Sequence, residues 1–313
     1  MICTYNRPER LAGALESCLK QLTLPREIVI VDDGELDPDF ITQWKTRTAE
    51  KGVELVYFNK PADRRGLTIS RNIGWRLSKG RIIQYLDDDA ELLPNALDQV
   101  IKVFEADTTK QLTGVDLPII EQARENRGRR IIDTCYRLAG LWAGGRRFIP
   151  YTRLTGKLAS MNQLEKIRFM QGGSMAIRRE CLDQIGGFDE TLTGSAMGED
   201  KEISIRLSKN GILARITQTG VIHHTDPAAR PDAKRLGIET SCNYLYINNK
   251  QGPLGVGEWL LIGYNLAMLL TTEVLFIFLG DRRRHLDQIK GLLLGVWKFA
   301  ESIWRNNKQA SCS

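Results

Sequence analysis

The sequence predicts an α/β fold with a parallel sheet, followed by a helical, apolar C-terminal region. Three observations predict it. Short β-rich runs alternate with helical stretches through the first third, and the runs stay apolar along their length, as strands covered on both faces do. Two of these runs end in acidic clusters, Asp32-Asp33-Gly34 and Asp87-Asp88-Asp89, at the carboxyl edge where parallel sheets take their ligands. Finally, 313 residues with 42% hydrophobic and 26% charged side chains suit one catalytic-sized domain plus an appendage and exclude wholesale disorder.

The elements follow in order. The first strand opens at Met1 and has about four residues where neighbouring strands have five or six, so a few further upstream residues are expected. Pro8 suits a first helical position, with Leu11, Leu15 and Leu19 behind it at helical spacing. Ile28 to Val31 is a β-branched strand, and Leu36 to Ala49 reads as a poor helix or a loop. Val53 to Tyr57 is a strand. Leu67 to Lys79 is a helix with Ile69, Ile73 and Leu77 on its apolar side and Gly80 as its stop. Ile82 to Leu86 is a single strand, and Pro94 opens a helix from Asn95 to Glu105. Gln171 to Ile177 reads as a Gly-led strand, Ile185 to Asp189 as a turn, and Gly198 opens a helix that ends at Asn210-Gly211. Val221-Ile222-His223-His224 closes the series, and Pro227 and Pro231 mark a break.

Charge and cysteine usage narrow the function classes. The net charge is +6, yet nine Lys/Arg between Arg124 and Lys157 face only Glu125 and Asp133, so the rest of the chain is close to neutral. This segment suits a phosphate-bearing acceptor or anionic headgroups, against the plain alternative of a solvated loop. No nucleic-acid module accompanies it, which argues against DNA or RNA as a partner. The six cysteines show no CxxC spacing and only three histidines exist, which disfavours structural zinc and a disulfide framework and fits a reducing compartment. The opening residues carry no apolar signal-like run.

Asp87 and Asp89 are alternate residues of an extended segment, so both carboxylates can face one divalent cation. A solvated acidic turn before a helix is the plain alternative. Asp32 and Asp33 stand where a ribose or a base N–H could be met, and Arg71 could meet a phosphate or form a surface ion pair. Glu199 and Asp200 open a helix, where carboxylates usually cap but can also serve as a general base. Adjacent residues His223 and His224 point to opposite sides of a strand, so only one can join a metal.

Taken together, Thr4-Tyr5-Asn6-Arg7, Val31-Asp32-Asp33-Gly34, Ser70-Arg71-Asn72-Ile73-Gly74, Leu86-Asp87-Asp88-Asp89-Ala90, Gly172-Gly173-Ser174, Gly186-Gly187-Phe188-Asp189-Glu190 and Gly198-Glu199-Asp200 resemble a family 2 glycosyltransferase of the GT-A fold. The resemblance covers residues 1–225 and leans toward bacterial enzymes that build rhamnose-containing or similar surface polysaccharides. It implies a GT-A catalytic domain over 1–225, with 1–115 as the nucleotide-sugar-binding half and 116–225 as the acceptor half, and a helical membrane-associated region over 226–313. It implies that Thr4, Tyr5, Arg7 and Asp33 or Asp32 hold the donor, with Asp88 beside them. Arg71 would approach the diphosphate or ribose, and Asp87 the ribose or sugar. Asp89, Asp87 and His223 (or else His224) would ligate Mn²⁺ or Mg²⁺, while Asp200 would be the catalytic base with Glu199 as its neighbour. The implied activity is metal-dependent, inverting transfer of one sugar from a nucleotide-diphosphate sugar, a UDP- or dTDP-sugar foremost, to a lipid-linked or polysaccharide acceptor. The absence of a QxxRW motif and of an aromatic platform near Gly198 points to single transfer.

Two rivals are weighed. Nucleotidyl or phosphoryl transfer lacks its Gly-rich loop after strand one, where Asn6-Arg7-Pro8-Glu9 stands, and a DxDxT phosphatase would need Thr at Glu91. A catalytically dead sugar-binding membrane protein sits poorly with Asp87, Asp89 and Asp200 all present. Trp259 to Gly280 holds one ionised residue, Glu273, and as a helix would reach about 33 Å, enough for a bilayer core. Arg282-Arg283-Arg284 follows it, and a single span cannot leave both flanks cytoplasmic. Leu292, Leu293, Val296, Trp297, Ala300 and Trp304 form a stripe, which favours a helix lying on the cytoplasmic face of the membrane, peripheral or monotopic. A re-entrant hairpin and two helices packed on the catalytic domain are the alternatives.

Overall fold

The computed structural model describes residues 1–121, 164–224 and 232–310. The basic segment from Arg124 to Lys157 therefore lies outside the described residues. The described chain forms two compact units, one of residues 1–121, 164–193 and 199–224 and one of 194–198 and 232–310.

In the first unit β1 (Ile2–Thr4) is followed by α1 (Pro8–Leu19), which buries Leu11, Ala14, Leu15 and Cys18. β2 (Glu27–Asp32) and β3 (Glu54–Asn59) flank α2 (Pro38–Glu50). The sequence reads this helix as weak because few of its residues are apolar. Its start is nonetheless specified: Asp37 caps the Asp39 N–H at 2.8 Å, Pro38 occupies the first turn, and Ile41, Trp44 and Thr48 face inward.

α3 (Leu67–Leu77) corrects a second expectation. Its buried residues are Thr68, Ser70, Arg71, Asn72, Gly74 and Trp75, whereas Ile69, Ile73 and Leu77 are only half-buried. A helix facing a functional site buries a polar face, which apolar periodicity does not find.

The expected strand Ile82 to Leu86 is two. β4 (Ile82–Gln84) pairs antiparallel, while β5 (Leu86–Asp87) pairs parallel with β1. The break is Tyr85, buried edge-on against Phe188 at 5.2 Å, its N–H donated to Met175 O at 2.7 Å. β6 (Ala90–Leu92), α4 (Ala96–Ala106), β7 (Leu112–Asp116) and β8 (Ile119–Glu121) come next. They are followed by β9 (Leu164–Ile167), β10 (Met175–Arg178), α5 (Arg179–Ile185), α6 (Glu199–Ser208), β11 (Ile212–Ile216) and β12 (Val221–His223).

The strands form three sheets. The order β3-β2-β1-β5 is wholly parallel, as the apolar runs predict. The order β4-β10-β7-β11-β9 is mixed, and so is β6-β12-β8. The parallel expectation therefore holds for the first sheet alone. One core joins Ile2, Leu11, Leu15, Ile28 and Ile30 to Val115 and Val221, and a second gathers Tyr85, Met175, Ile177, Phe188 and Ile203.

In the second unit α7 (Ala233–Lys250), α8 (Val256–Leu279) and α9 (Arg282–Ala310) share a core of Tyr244, Leu245, Ile262 and Phe299. α7 and α9 touch backbone to backbone through Gly237, Gly291 and Gly295; a Cβ on Gly291 would meet Lys234 O at 2.1 Å. Of the predicted α9 stripe, Leu292 turns inward, whereas Leu293, Val296, Trp297 and Trp304 face outward. The inward face is instead Gly291, Leu292, Gly295 and Phe299. Small residues let helices approach closely and are invisible to a hydrophobicity pattern.

Candidate active site

The parallel sheet sets its acidic strand ends side by side: Thr4 pairs in register with Asp32, and Cys3 with Asp87. Beyond β1 the chain turns at Asn6, whose φ is +53° and whose Oδ1 accepts the Glu35 N–H at 3.0 Å.

The triplet alternates. Asp88 points inward and is 1% exposed; the Thr4 hydroxyl donates to it at 2.8 Å and Arg7 pairs with it at 2.8 Å. Burial pushes its carboxyl up to about 6, against the opposing pull of Arg7 and Thr4. Asp87 and Asp89 point the other way and meet His223, their ligand atoms all within 4.8 Å of one another. His223 Nε2 stands 3.2 Å from Asp89, and Arg7 donates to Asp89 at 3.2 Å. Burial alone would raise Asp89, but the hydrogen bond and charge of His223, with Arg7, hold it below the usual carboxylate range. His224 turns to the opposite side, 2.9 Å from Glu91. Two carboxylates and one imidazole, all partly exposed, suit a hard divalent cation such as Mn²⁺ or Mg²⁺ with coordination positions left for oxygen ligands.

Asp32 and Asp33 part company. Asp32 is wholly buried: it accepts the Gly34 and Leu36 N–H groups at 2.7 and 2.9 Å and the Tyr57 hydroxyl at 2.9 Å. Its carboxylate closes the β2 turn and has no face for a ligand. Asp33 is partly exposed and accepts from Ser70 at 2.5 Å, from the Gly66 N–H at 3.1 Å and from Lys60, whose Nζ lies 2.7 Å away. Tyr5 stays half exposed, with the Arg65 guanidinium 5.3 Å from its ring centroid.

Arg71 is 3% exposed, so its guanidinium lies inside the protein. It donates to Glu199 at 2.6 Å, to Gly172 O at 3.1 Å and to Asp87 at 3.4 Å, between the rings of Tyr85 and Phe188. Burial opposes its charge, and the two carboxylates outweigh that and keep it firmly protonated. Sequence reasoning sends Arg71 to the donor; the structure uses it as a bridge between two acidic groups.

Glu199 begins α6, is buried, and is pushed up to about 7 by burial and by the neighbouring Asp200 charge, with Arg71 pulling the other way. Asp200 is more open and pairs with Lys201 at 2.8 Å. The preceding loop turns through Gly194 and Gly198, both at positive φ, and is held by Glu239 and Asn243 of α7, which take the Ser195 N–H and donate to Met197 O.

Sequence reasoning misses one contributor, Lys60, and gives the wrong local form to the Gly172-Gly173 motif it singles out. Lys60 gave no signal because a lone lysine after a strand reads as surface. Gly172 and Gly173 form a 3₁₀ turn, not the start of a strand. A Cβ on Gly172 would lie 2.6 Å from Glu199 Oε1, and one on Gly173 would lie 2.4 Å from Asp87 Oδ2, so only glycine lets this turn approach both carboxylates. That pair was the available signal.

A wholly parallel sheet beside two mixed sheets, with strand-end carboxylates facing a histidine, defines a GT-A-type α/β transferase. Residues 1–186 match the profile of Glycosyl transferase family 2, and the chain belongs to that family. Among its relatives is an Escherichia coli chondroitin synthase, 25% identical over 244 residues that cover 74% of this chain and 35% of that protein. The uncharacterized glycosyltransferase YwdF of Bacillus subtilis is 25% identical over 271 residues, covering 86% and 88%. The chain thus spans about a third of the first relative's length and most of the second's. In fold it resembles the mannosyltransferase PcManGT from Pyrobaculum calidifontis in complex with GDP-Man and Mn²⁺, with a TM-score of 0.58, 14% identity and coverage of 95% and 86%. It also resembles GalNAc-T7 with UDP, GalNAc and Mn²⁺, with a TM-score of 0.53, 18% identity and coverage of 79% and 46%.

Proposed function

We propose that the chain is a metal-dependent, inverting glycosyltransferase that moves one sugar from a nucleotide-diphosphate sugar to a lipid-linked or polysaccharide acceptor. The observation that carries this reading is the convergence of Asp87 and Asp89, at the end of β5 and in the turn after it, with His223 of β12, and with Arg71 joining Asp87 to the Glu199-Asp200 helix start. Residues 1–115 serve as the donor half and 116–225 as the acceptor half.

In this reading Asp87, Asp89 and His223 hold Mn²⁺ or Mg²⁺, which when bound supplies positive charge to the departing diphosphate. Thr4 and Arg7 act through Asp88, fixing the triplet so that its outer carboxylates share one side. Tyr5 and Asp33 receive the nucleoside. Arg71 acts as a positioning residue that holds Glu199 and Asp87 at fixed separation. Asp200, the more open of its pair, takes the proton of the acceptor hydroxyl as that oxygen bonds to the anomeric carbon. The bond to the nucleoside diphosphate breaks on the opposite face, its electron pair leaves with the diphosphate, and the configuration inverts.

The second unit is read as a membrane-surface anchor on the cytoplasmic face, where nucleotide sugars are made. α8 contains an apolar stretch, Val256–Phe278, whose most apolar 18 residues have a mean hydropathy of 1.8 and are 17% buried. Trp259, Leu260, Leu275 and Phe278 are exposed on it, and Leu293, Trp297 and Trp304 on α9, close in sequence to Arg282-Arg283-Arg284. Outward tryptophans beside clustered cations suit an anionic lipid interface. The test is turnover: the purified chain with nucleotide sugar, Mn²⁺ and a lipid-linked acceptor should release nucleoside diphosphate, and NMR of the product should show inverted anomeric configuration. Retained configuration contradicts the mechanism.

A further inference from the structure

Resting on the glycosyltransferase reading, we infer that α7 belongs to the transfer machinery as well as to the anchor: Glu239 and Asn243 are positioning residues that hold the loop leading into Asp200.

The loop Gly194–Gly198 groups with the helical unit, whereas both its flanks belong to the first unit. The flanks are tied to one helix. The Thr68 hydroxyl donates to Leu192 O at 3.0 Å, and Arg71, one turn further along α3, donates to Glu199 at 2.6 Å. Between them Gly194, Ala196 and Gly198 have φ of +70°, +51° and +92°. Alanine takes that left-handed conformation only at a cost, so the loop needs outside contacts to keep this path.

α7 supplies those contacts. Glu239, Asn243 and Ile247 follow one another at helical spacing and form one stripe of the helix. They meet the loop in chain order. Glu239 accepts the Ser195 N–H at 3.2 Å and also the Ser195 hydroxyl, and a Cβ on Gly194 would collide with its Oε1. The Asn243 amide donates to Met197 O at 3.1 Å, and a Cβ on Gly198 would lie 2.9 Å from Ile247 Cδ1. Glu199 and Asp200 come directly after Gly198. The Asp200 carboxylate pairs at 2.8 Å with Lys201, which moves with the same backbone, so the start of α6 decides where that carboxylate points. A misplacement of about 1 Å at a reacting group can cost on the order of a hundredfold in rate, and that is the hold the stripe has on transfer.

Steady-state kinetics of the full chain with Mn²⁺ and a nucleotide sugar and lipid-linked acceptor that the wild type turns over test this. Glu239→Ala should lower kcat at least about tenfold, while KM for the nucleotide sugar stays within about twofold of wild type. Glu239→Gln keeps an oxygen for Ser195 and gives up only the ion pair with the exposed Arg235, so it should recover most of kcat. The decisive arm is Glu239→Ala made in Asp200→Asn. With the base already gone, it should lower the residual transfer by less than about twofold, whereas a merely structural role would cost the same factor in both backgrounds. That equal loss, or a Glu239→Ala kcat within about twofold of wild type, overturns the inference and leaves the glycosyltransferase reading standing. Should Glu239→Ala not fold, Asn243→Ala carries the same expectations and the same overturning results. A wild-type chain that transfers no sugar overturns both readings.

Discussion

Arg71 donates to Glu199 at 2.6 Å across 128 residues of sequence. Both groups are buried, and the same guanidinium reaches Asp87 at 3.4 Å. One side chain therefore ties the start of α6 to the strand end that carries the acidic triplet. Arg71→Ala would leave two carboxylates without their cation and should cost about 3–5 kcal/mol in urea unfolding. Arg71→Lys should recover only part of this, since one ammonium cannot replace the planar fork. A stability within about 0.5 kcal/mol of wild type for Arg71→Ala would show that the bridge is incidental.

The metal site makes a separate prediction. Chelation should abolish transfer and added Mn²⁺ should restore it. Asp89→Asn and His223→Ala should each weaken Mn²⁺ binding at least about tenfold by titration, the scale of losing part of a metal's supporting shell. His224→Ala, on the side facing Glu91, should leave Mn²⁺ affinity unchanged.

Glu199 predicts a pH dependence of stability. Its folded carboxyl titrates at about 7 against an ordinary 4.5, chiefly because it is buried. The folded chain then holds a proton that the unfolded chain has released, so this group's contribution is full below pH 4.5 and is lost as pH rises through 7. Glu199→Gln has no such titration. Wild type should lose stability relative to Glu199→Gln as pH rises from about 4.5 to 7, and a pH-independent difference would contradict the assignment.

In the helical unit, Gly291→Val should destabilise by more than about 1 kcal/mol, because its Cβ would collide with the Lys234 carbonyl. Trp297→Ser with Trp304→Ser touches only the outward face, so stability should hold while binding to anionic vesicles falls. Unchanged sedimentation with vesicles would count against the membrane surface.

What was legible in the sequence were features with local causes. The apolar runs at Ile28 to Val31 and around Ile83, the Pro8 helix start and the alternation of Asp87, Asp88 and Asp89 each follow from neighbouring residues. What was hidden depends on distant partners. Asp32 and Asp33 look alike in sequence, and only Tyr57, Lys60 and Ser70 separate their roles. Tyr85 splits the run Ile82 to Leu86 because Met175 of β10 and Phe188, beyond α5, claim it. The inward face of α9 is made of glycines that pattern reading passes over.

The most direct measurement is the transfer rate and donor affinity of Asp200→Asn. General-base loss should lower transfer at least about a hundredfold while nucleotide-sugar affinity stays within twofold or so of wild type. Transfer at the wild-type rate would contradict the account.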